Sequence, residues 1–126
     1  TWYFNTVTHE AFYSDNVFQI YGLFPQSLNA HPNTFIDFIH PEDSSIVLRT
    51  FEKAYHAKLP LHLEYRIVGQ DGIIRYVLQT TRWLFNSKGE MMQTGTIQNI
   101  TEQKEIDNDL YKKQYSLGFY TLLLKQ

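Results

Sequence analysis

The strongest constraint on the fold is an alternation of apolar and polar residues in the second half of the chain. In the segment 61–68, apolar or aromatic residues stand at every odd position, and His62, Glu64 and Arg66 lie between them. This period of two is typical of a half-buried strand. Turn sequences follow at 70–72 (Gln-Asp-Gly) and at 86–89 (Asn-Ser-Lys-Gly). We therefore predict three consecutive antiparallel strands at 61–68, 73–85 and 91–100.

The start of the chain predicts a β-hairpin. Residues 2–7 are aromatic and β-branched, and residues 11–14 resume that pattern after a polar break. Two strands, then helices, then three strands favour an α+β fold. We expect a five-stranded antiparallel sheet with short helices packed on one face.

Helical segments lie between the hairpin and the three later strands. Ser14 and Asp15 are capping residues that suit the start of a short helix, which Gly22 would end. Phe35, Phe38 and Ile39 lie at helical spacing and predict another short turn.

A longer helix is predicted from Pro41 to the break at Leu59-Pro60. Proline suits the first helical position, and the carboxylates of Glu42 and Asp43 favour the positive end of the helix dipole. The predicted buried stripe of this helix consists of five residues: Val47, Leu48, Phe51, Ala54 and Tyr55.

The segment 94–104, TGTIQNITEQK, reads as a strand that passes directly into a charged helix. Thr101 is well placed to cap this helix. A domain whose last strand continues into an exposed helix can pass its internal state to whatever follows. We therefore divide the chain into a sensor domain at 1–100 and a linker or signalling helix at 101–126.

Composition excludes several classes of function. At 126 residues the chain is one domain, and its net charge of −2 gives no electrostatic reason to bind nucleic acid or an anionic membrane. No apolar run reaches the length of a membrane span. Cysteine is absent, which excludes disulfides, thiolate metal sites and thiol nucleophiles, and is consistent with the cytoplasm.

Because the chain starts at Thr1 and ends in an apolar run, we expect a piece of a longer protein.

Several motifs, in order, resemble the PAS fold with its PAC extension, a sensory domain of bacterial signalling proteins. The motifs are Tyr13-Ser14-Asp15, Phe38-Ile39-His40-Pro41-Glu42-Asp43, Glu64-Tyr65-Arg66-Ile67, Asp71-Gly72, Arg75-Tyr76-Val77 and Asn99-Ile100-Thr101-Glu102-Gln103-Lys104. The resemblance implies that Asn99, Ile100 and Thr101 form the signal-transfer point. Asn99 replaces the usual Asp and Tyr76 the usual Trp, so an ion pair at the hinge is lost while hydrogen bonding by the amide stays possible.

The resemblance also implies an internal pocket lined by twelve residues. They are Phe35, Phe38, Leu48 and Phe51 from the helices, and Tyr65, Ile67, Val77, Gln79, Thr81, Gln93, Gly95 and Ile97 from the strands. Buried polar groups need partners. Two roles are open for the polar residues Gln79, Thr81 and Gln93: they bond each other and water, or they orient a small polar ligand. A packed core without any ligand is an equal alternative to a ligand site.

The residues give less support for haem, covalent flavin, a metal site or catalysis. Haem-binding relatives carry an axial His where this chain has Leu48, and covalent flavin needs a Cys, which argues against both cofactors. A non-covalent small ligand, including flavin, stays open. His40, Glu42 and Asp43 are better read as a capped helix start than as metal ligands. We predict no metal site, no nucleophile–base arrangement and no enzyme activity, and we expect Glu64 and Arg66 to form cross-strand surface pairs.

The predicted partners are a second copy and an output domain in the same polypeptide. Tyr76, Leu78 and Leu84 should point out of the sheet and mark a contact with a flanking helix or a second copy. The exit helix can be written as heptads with a seam of Gln103, Ile106, Leu110, Lys113, Leu117, Tyr120 and Leu124, which Gly118 interrupts. The family resemblance implies a histidine kinase or a diguanylate cyclase/phosphodiesterase as output. The alternative is a ligand-free dimerisation module.

Overall fold

The computed structural model describes residues 1–29 and 31–124, with side chains described at 1–29 and 31–113. The strands are β1 (Trp2–Asn5), β2 (Ala11–Tyr13), β3 (Leu61–Val68), β4 (Ile74–Phe85) and β5 (Met91–Asn99). The α-helices are α1 (Asp15–Ile20), α2 (Pro41–Ala57) and α3 (Thr101–Leu124), and two short 3₁₀ helices lie at Pro32–Thr34 and Ile36–Phe38.

The five strands form one antiparallel sheet in the order β2-β1-β5-β4-β3. The last strand in sequence, β5, is therefore the central strand in space. It pairs with β1 from Trp2 opposite Gly95, and with β4 from Val77 opposite Asn99 to Phe85 opposite Met91. The predicted α+β fold is confirmed.

Side chains at the strand ends explain where the hairpin departs from its predicted length. β1 stops at Asn5, two residues before the predicted end. The Asn5 Oδ1 accepts hydrogen bonds from the backbone N–H groups of Val7 (2.8 Å) and Thr8 (3.0 Å). This Asx turn offers the backbone an alternative to the strand ladder.

The short helices follow the prediction in place but not in capping. α1 ends before Gly22, whose φ of +70° suits glycine. Ser14 occupies the N-cap position, but its hydroxyl bonds no N–H group of the helix. The predicted turn around Phe35 and Phe38 forms the second 3₁₀ helix.

The start of α2 is fastened to strand β3. Pro41 is the first helical residue, and the Nδ1 of His40 accepts a hydrogen bond from the Glu42 N–H (3.1 Å). The Asp43 carboxylate accepts from the backbone N–H of Arg66 (2.9 Å) and from its guanidinium (2.6 and 3.0 Å). The confirmed helix start is thus also an anchor to the sheet.

The predicted cross-strand pairs of Glu64 and Arg66 are wrong. Arg66 binds Asp43 and Glu42 of α2, and Glu64 forms an ion pair with Lys104 of α3. The residues opposite them on β4 are Leu78 and Tyr76, which carry no charge. Both strand residues therefore pair with helices.

The hydrophobic core lies between the sheet and α1, the 3₁₀ segment and α2. Its largest fully buried side chains are Phe18, Tyr21, Ile67, Val17 and Val77. In the predicted stripe of α2, Val47 is buried, and Leu48, Phe51 and Ala54 are half-buried. Tyr55 is 38% exposed, which corrects its place in that stripe, because it lies near the end of the helix beside Trp83 and Lys58.

The residues predicted to form a contact surface lie on the opposite face of the sheet and on α3. Leu84 is 43% exposed, while Tyr76 and Leu78 are half-buried. In the predicted seam, Ile106 and Leu110 are each 52% exposed, and the side chains of Leu117, Tyr120 and Leu124 lie outside the described residues. Over the described ranges, no helix is both long enough and apolar enough to cross a membrane.

We predict that Gly95→Ala destabilises the domain strongly. An ideal Cβ at Gly95 overlaps the carbonyl oxygen of Thr80 on β4 and lies 3.1 Å from the Trp2 Nε1. Because a backbone atom cannot move away cheaply, we expect the free energy of unfolding to fall by about 3 kcal/mol or more in urea denaturation.

Gly89→Ala is the matched control. Gly89 has a φ of +77° in a turn and no atom within 4 Å of its ideal Cβ. It should lose only the backbone strain of a left-handed residue, about 1–2 kcal/mol. Equal losses in the two variants would contradict the close packing of β5 on β4.

We predict that Asp43→Asn lowers stability by about 1 kcal/mol at neutral pH, since charged hydrogen bonds to Arg66 are lost. The Arg66 side chain holds the pKa of Asp43 below its usual value. Asp43 therefore stabilises the fold above the unfolded pKa of about 3.9, and this contribution is lost as pH falls through the lower folded pKa. Denaturation at several pH values should show the two proteins converging in acid. A difference that grows in acid would contradict the assigned pair.

Candidate functional site

A cavity of about 430 Å³ lies between the inner face of the sheet and the helical segments. Strand residues in its wall are Trp2, Phe4, Tyr13, Leu61, Tyr65, Gln79, Thr81, Gln93 and Ile97. The other side of the wall is formed by Tyr21, His31, Pro32, Asn33, Phe35, Ile36, Ile39, Leu48, Phe51, Glu52, Ala54, Tyr55, His56 and Leu59. This volume is within the range of small-molecule sites.

Eight of the twelve residues predicted for a pocket line this cavity. They are Phe35, Leu48, Phe51, Tyr65, Gln79, Thr81, Gln93 and Ile97. The strand members share one face because β3, β4 and β5 pair in a register that places Tyr65 opposite Val77 and Gln79 opposite Ile97. The structure therefore brings together residues that are far apart in sequence.

The other four predicted residues lie outside the cavity wall. Ile67 and Val77 are fully buried on the same face, but they pack in the core at the end of the sheet. Phe38 packs against Tyr21. Gly95 has no side chain to contribute, and its α-carbon lies against β4. Strand alternation identifies a face but not the position along it, which explains the corrections for Ile67 and Val77.

The largest set of lining residues that sequence reasoning missed comes from the hairpin and the 3₁₀ segment. Trp2 and Phe4 alternate in β1, and Tyr13 lies opposite Trp2 on β2. That alternation is the signal that could have found them. His31 and Asn33 belong to a segment without periodicity, where no sequence signal indicates which side chains face inward.

Polar groups stand on the strand side of the cavity. The Tyr65 hydroxyl donates a hydrogen bond of 2.6 Å to the Gln79 Oε1. Within the described part of the chain, the side chains of Thr81 and Gln93 bond neither Gln79 nor each other. The predicted bonds among Gln79, Thr81 and Gln93 are therefore not found among the described residues, and Gln79 is bonded to Tyr65 instead.

Three buried tyrosines keep their hydroxyl groups neutral. Burial raises the pKa of Tyr13 and of Tyr65, and burial followed by the proximity of Tyr65 raises the pKa of Tyr21. At physiological pH all three are therefore protonated and able to donate hydrogen bonds.

The two tryptophan indoles differ in hydrogen bonding. The Trp83 Nε1 donates to the carbonyl oxygen of Leu59 at 2.9 Å. The Nε1 of Trp2, a residue 5% exposed, is buried and has no partner among the described residues. An unsatisfied buried N–H costs about 1–3 kcal/mol.

Among the described lining residues, the carboxylate and the two imidazoles stand at the exposed rim of the cavity. His31 and Asn33 are exposed on one side, and Glu52 and His56 on the other, the last two with 73% and 72% of their side chains accessible. This rim is the mouth, and neither Lys nor Arg occurs among the described lining residues. The described residues also contain no group of three potential metal ligands.

Strand β5 continues into α3 through a short hydrogen-bonded hinge. The Asn99 Oδ1 accepts from the Thr101 N–H (3.1 Å) and from the Thr101 hydroxyl (2.6 Å). The same hydroxyl accepts from the backbone N–H of Tyr76 on β4 (3.0 Å), and the Ile100 N–H donates to the Tyr76 carbonyl (2.8 Å). The predicted capping residue is therefore corrected: Asn99 provides the acceptor at the helix start, and Thr101 connects that helix to β4.

An ion pair adds a second connection between α3 and the sheet. Lys104 binds Glu64 of β3, and this bond raises the pKa of Lys104. The start of α3 therefore keeps an ion pair, Lys104 with Glu64, although Asn99 at the hinge is uncharged. This ion pair is partly exposed, with 33% of the Lys104 side chain and 46% of the Glu64 side chain accessible.

Comparison with known families agrees with this architecture. The family described as "PAS fold" matches residues 10–97. The chain belongs to the PAS family.

One curated relative of this PAS domain is named as a sensor. A methyl sulfide methyltransferase-associated sensor of Methanosarcina acetivorans is 30% identical over 98 residues, which are 76% of this chain and 10% of that protein. This PAS domain thus spans about a tenth of that curated relative.

Solved structures show the same fold. A sensory box histidine kinase/response regulator from Burkholderia thailandensis has a TM-score of 0.70 at 24% identity, covering 92% of this chain and 87% of that one. The N-terminal domain of a diguanylate cyclase with a PAS/PAC sensor from Marinobacter aquaeolei has a TM-score of 0.70 at 19% identity, covering 82% and 95%.

We predict that Asn99→Ala loosens the first turn of α3 in this PAS domain. Loss of the acceptor for Thr101 should make the amides of residues 101–105 exchange about fivefold faster, from about 1 kcal/mol of lost hydrogen bonding. Hydrogen exchange followed by NMR measures this directly.

Asn99→Asp is the matched control. Its carboxylate keeps the acceptor and adds a favourable interaction of about 0.5 kcal/mol with the helix N-terminus. Protection of the first turn should stay equal or rise. An unchanged exchange rate in Asn99→Ala would contradict the assigned role of Asn99.

Proposed function

We propose that this PAS domain is the sensory input of a larger signal-transduction protein. It binds a small molecule in the cavity and passes the bound state through α3 to an output domain in the same polypeptide. That output is a histidine kinase or a diguanylate cyclase/phosphodiesterase, and the catalytic step lies there. The proposed location of the domain is the cytoplasm.

The observation that carries this proposal is that the cavity and the hinge share two strands. Gln79 lies opposite Ile97 in the cavity wall, and two pairs further along, Val77 lies opposite Asn99 at the hinge. Tyr76, next to Val77, exchanges hydrogen bonds with the start of α3. A ligand in the cavity that shifts β4 against β5 therefore also shifts the start of α3.

Relatives with the same fold support the class of output. The Methanosarcina acetivorans relative is named as a sensor, and the two solved structures come from a histidine kinase and a diguanylate cyclase. These names are the support for a sensory role and for an output of one of these two classes.

The proposed mechanism is a shift between two populations of the same domain. A ligand that binds one packing of β4 and β5 more tightly favours the corresponding hinge and the corresponding rotation of α3. The shift can be no larger than the difference in binding free energy between the two states. In a dimer, rotation of α3 would change the contacts between the α3 helices of the two copies.

Exposed apolar side chains favour a second candidate function, a ligand-free dimerisation module. Ile106 and Leu110 of α3 are half exposed, and Leu84 is exposed on the outer face of the sheet. In this alternative the cavity holds only water, and the domain serves to hold two chains together.

We predict that Leu48→Trp abolishes small-molecule binding without unfolding the domain. Leu48 lines the cavity and is half-buried, so the larger ring should fill open space instead of displacing packed atoms. Protein purified directly from its native host would be denatured, and the released small molecules identified by mass spectrometry. Wild-type protein should release one molecule per chain, and Leu48→Trp little or none.

Ile46→Trp is the matched control, since Ile46 lies on the same helix and is 66% exposed. It should retain the bound molecule, and circular dichroism should show the same fold in all three proteins. Release of no molecule from wild-type protein that is nevertheless dimeric would overturn sensing and favour the dimerisation module.

A further inference from the structure

We propose that the indole N–H of Trp2 is the hydrogen-bond donor that recognises the ligand of this cavity. The ligand is a small, neutral, aromatic molecule that presents a carbonyl oxygen or a ring nitrogen to Trp2. This inference rests on the proposed function, because it describes the molecule that the cavity would bind.

The first observation is the unsatisfied state of this group. The Trp2 Nε1 is buried and unpartnered among the described residues, while Trp2 borders the cavity. Buried polar groups in folded proteins nearly always have a partner. The Nε1 atom itself has almost no accessible surface, so a ligand in the adjacent cavity supplies an acceptor once the indole ring turns toward it.

The second observation is the position of Gly95 beside the indole. An ideal Cβ at Gly95 lies only 3.1 Å from the Trp2 Nε1, so any side chain at this position would crowd the N–H group. Thr81 is opposite Gly95 on β4, is 4% exposed and lines the cavity. The row Trp2, Gly95 and Thr81 thus places two polar groups at one side of the cavity.

The chemistry of the lining defines the charge and shape of the ligand. The one carboxylate among the described lining residues, Glu52, is at the mouth, and these residues include neither Lys nor Arg. An anion buried inside would therefore lack a counter-ion, which is costly. The aromatic rings of Phe35, Phe51 and Tyr13 favour a flat apolar body.

The experiment compares two probes of nearly equal shape, acetophenone and 2-phenylpropene, which differ in a carbonyl oxygen against a methylene group. Benzoate is the anionic probe of similar size. The two indole N–H signals of ¹⁵N-labelled protein report on Trp2 and Trp83, and Trp83→Phe assigns them. Trp83 is an internal control, because its N–H is already bonded to Leu59.

We expect acetophenone to move the Trp2 indole proton downfield and to leave the Trp83 proton nearly unchanged. Trp2→Phe should weaken acetophenone about three- to tenfold, the contribution of one neutral hydrogen bond, and weaken 2-phenylpropene much less. Benzoate should bind more weakly than acetophenone. If Trp2→Phe does not fold, the response of the wild-type indole to the two probes decides the question.

Three results would overturn the inference. If both neutral probes perturb the cavity residues while the Trp2 signal stays fixed, Trp2 is not the donor, although the cavity still binds ligands. Binding of benzoate as tight as that of acetophenone would contradict the neutral class. If none of the probes perturbs the lining residues, the ligand class is wrong, and the bound molecule extracted from wild-type protein and from Leu48→Trp still judges the proposed function separately.

Discussion

The pairing of β5 with strands on both of its sides is the constraint on which the rest of the structure depends. β5 pairs with β4 at nine positions and with β1 at four. Because it is the last strand in sequence and the central one in space, the fold closes only after the chain has been made up to Asn99. The same strand forms part of the cavity wall and leads directly into α3. The cavity and α3 are therefore connected both along the chain of β5 and through the hydrogen bonds of β5 to its neighbouring strands.

Elements whose sequence carries a period were predictable. The alternation at 61–68 indicated the correct inner face of β3, where Tyr65 lies, and the resemblance to the PAS fold placed Gln79 and Thr81 on the same side of the sheet. The proline and carboxylates at 41–43 gave the correct start of α2, because proline geometry and the helix dipole act locally. Alternation does not show which positions along a strand border the cavity and which pack in the core. Ile67 and Val77 share the face of Tyr65 but lie where the sheet is closed by the core instead of by the cavity.

Features that depend on distant contacts were not predictable from local patterns. Arg66 was expected to pair across the sheet, but its neighbour on β4 is Tyr76, and the nearest opposite charge is Asp43 on the helix. The mouth of the cavity is formed in part by His31 and Asn33, in a segment without periodicity. The missing partner of the Trp2 N–H likewise follows only from the packing of the hairpin against β5.

The magnitudes of the interactions decide where a bound molecule could act. A neutral hydrogen bond contributes about 1 kcal/mol net, and a partly exposed ion pair such as that of Glu64 and Lys104 contributes less. The hinge is therefore held by a few bonds, each about as strong as one new hydrogen bond in the cavity. A difference of that size changes the ratio of two hinge states roughly five- to tenfold, since 1.4 kcal/mol is a factor of ten. Repacking the core around Val77 would cost several times more. In the proposed relay the core must therefore move as one body, and the change in structure belongs at Asn99 and Thr101.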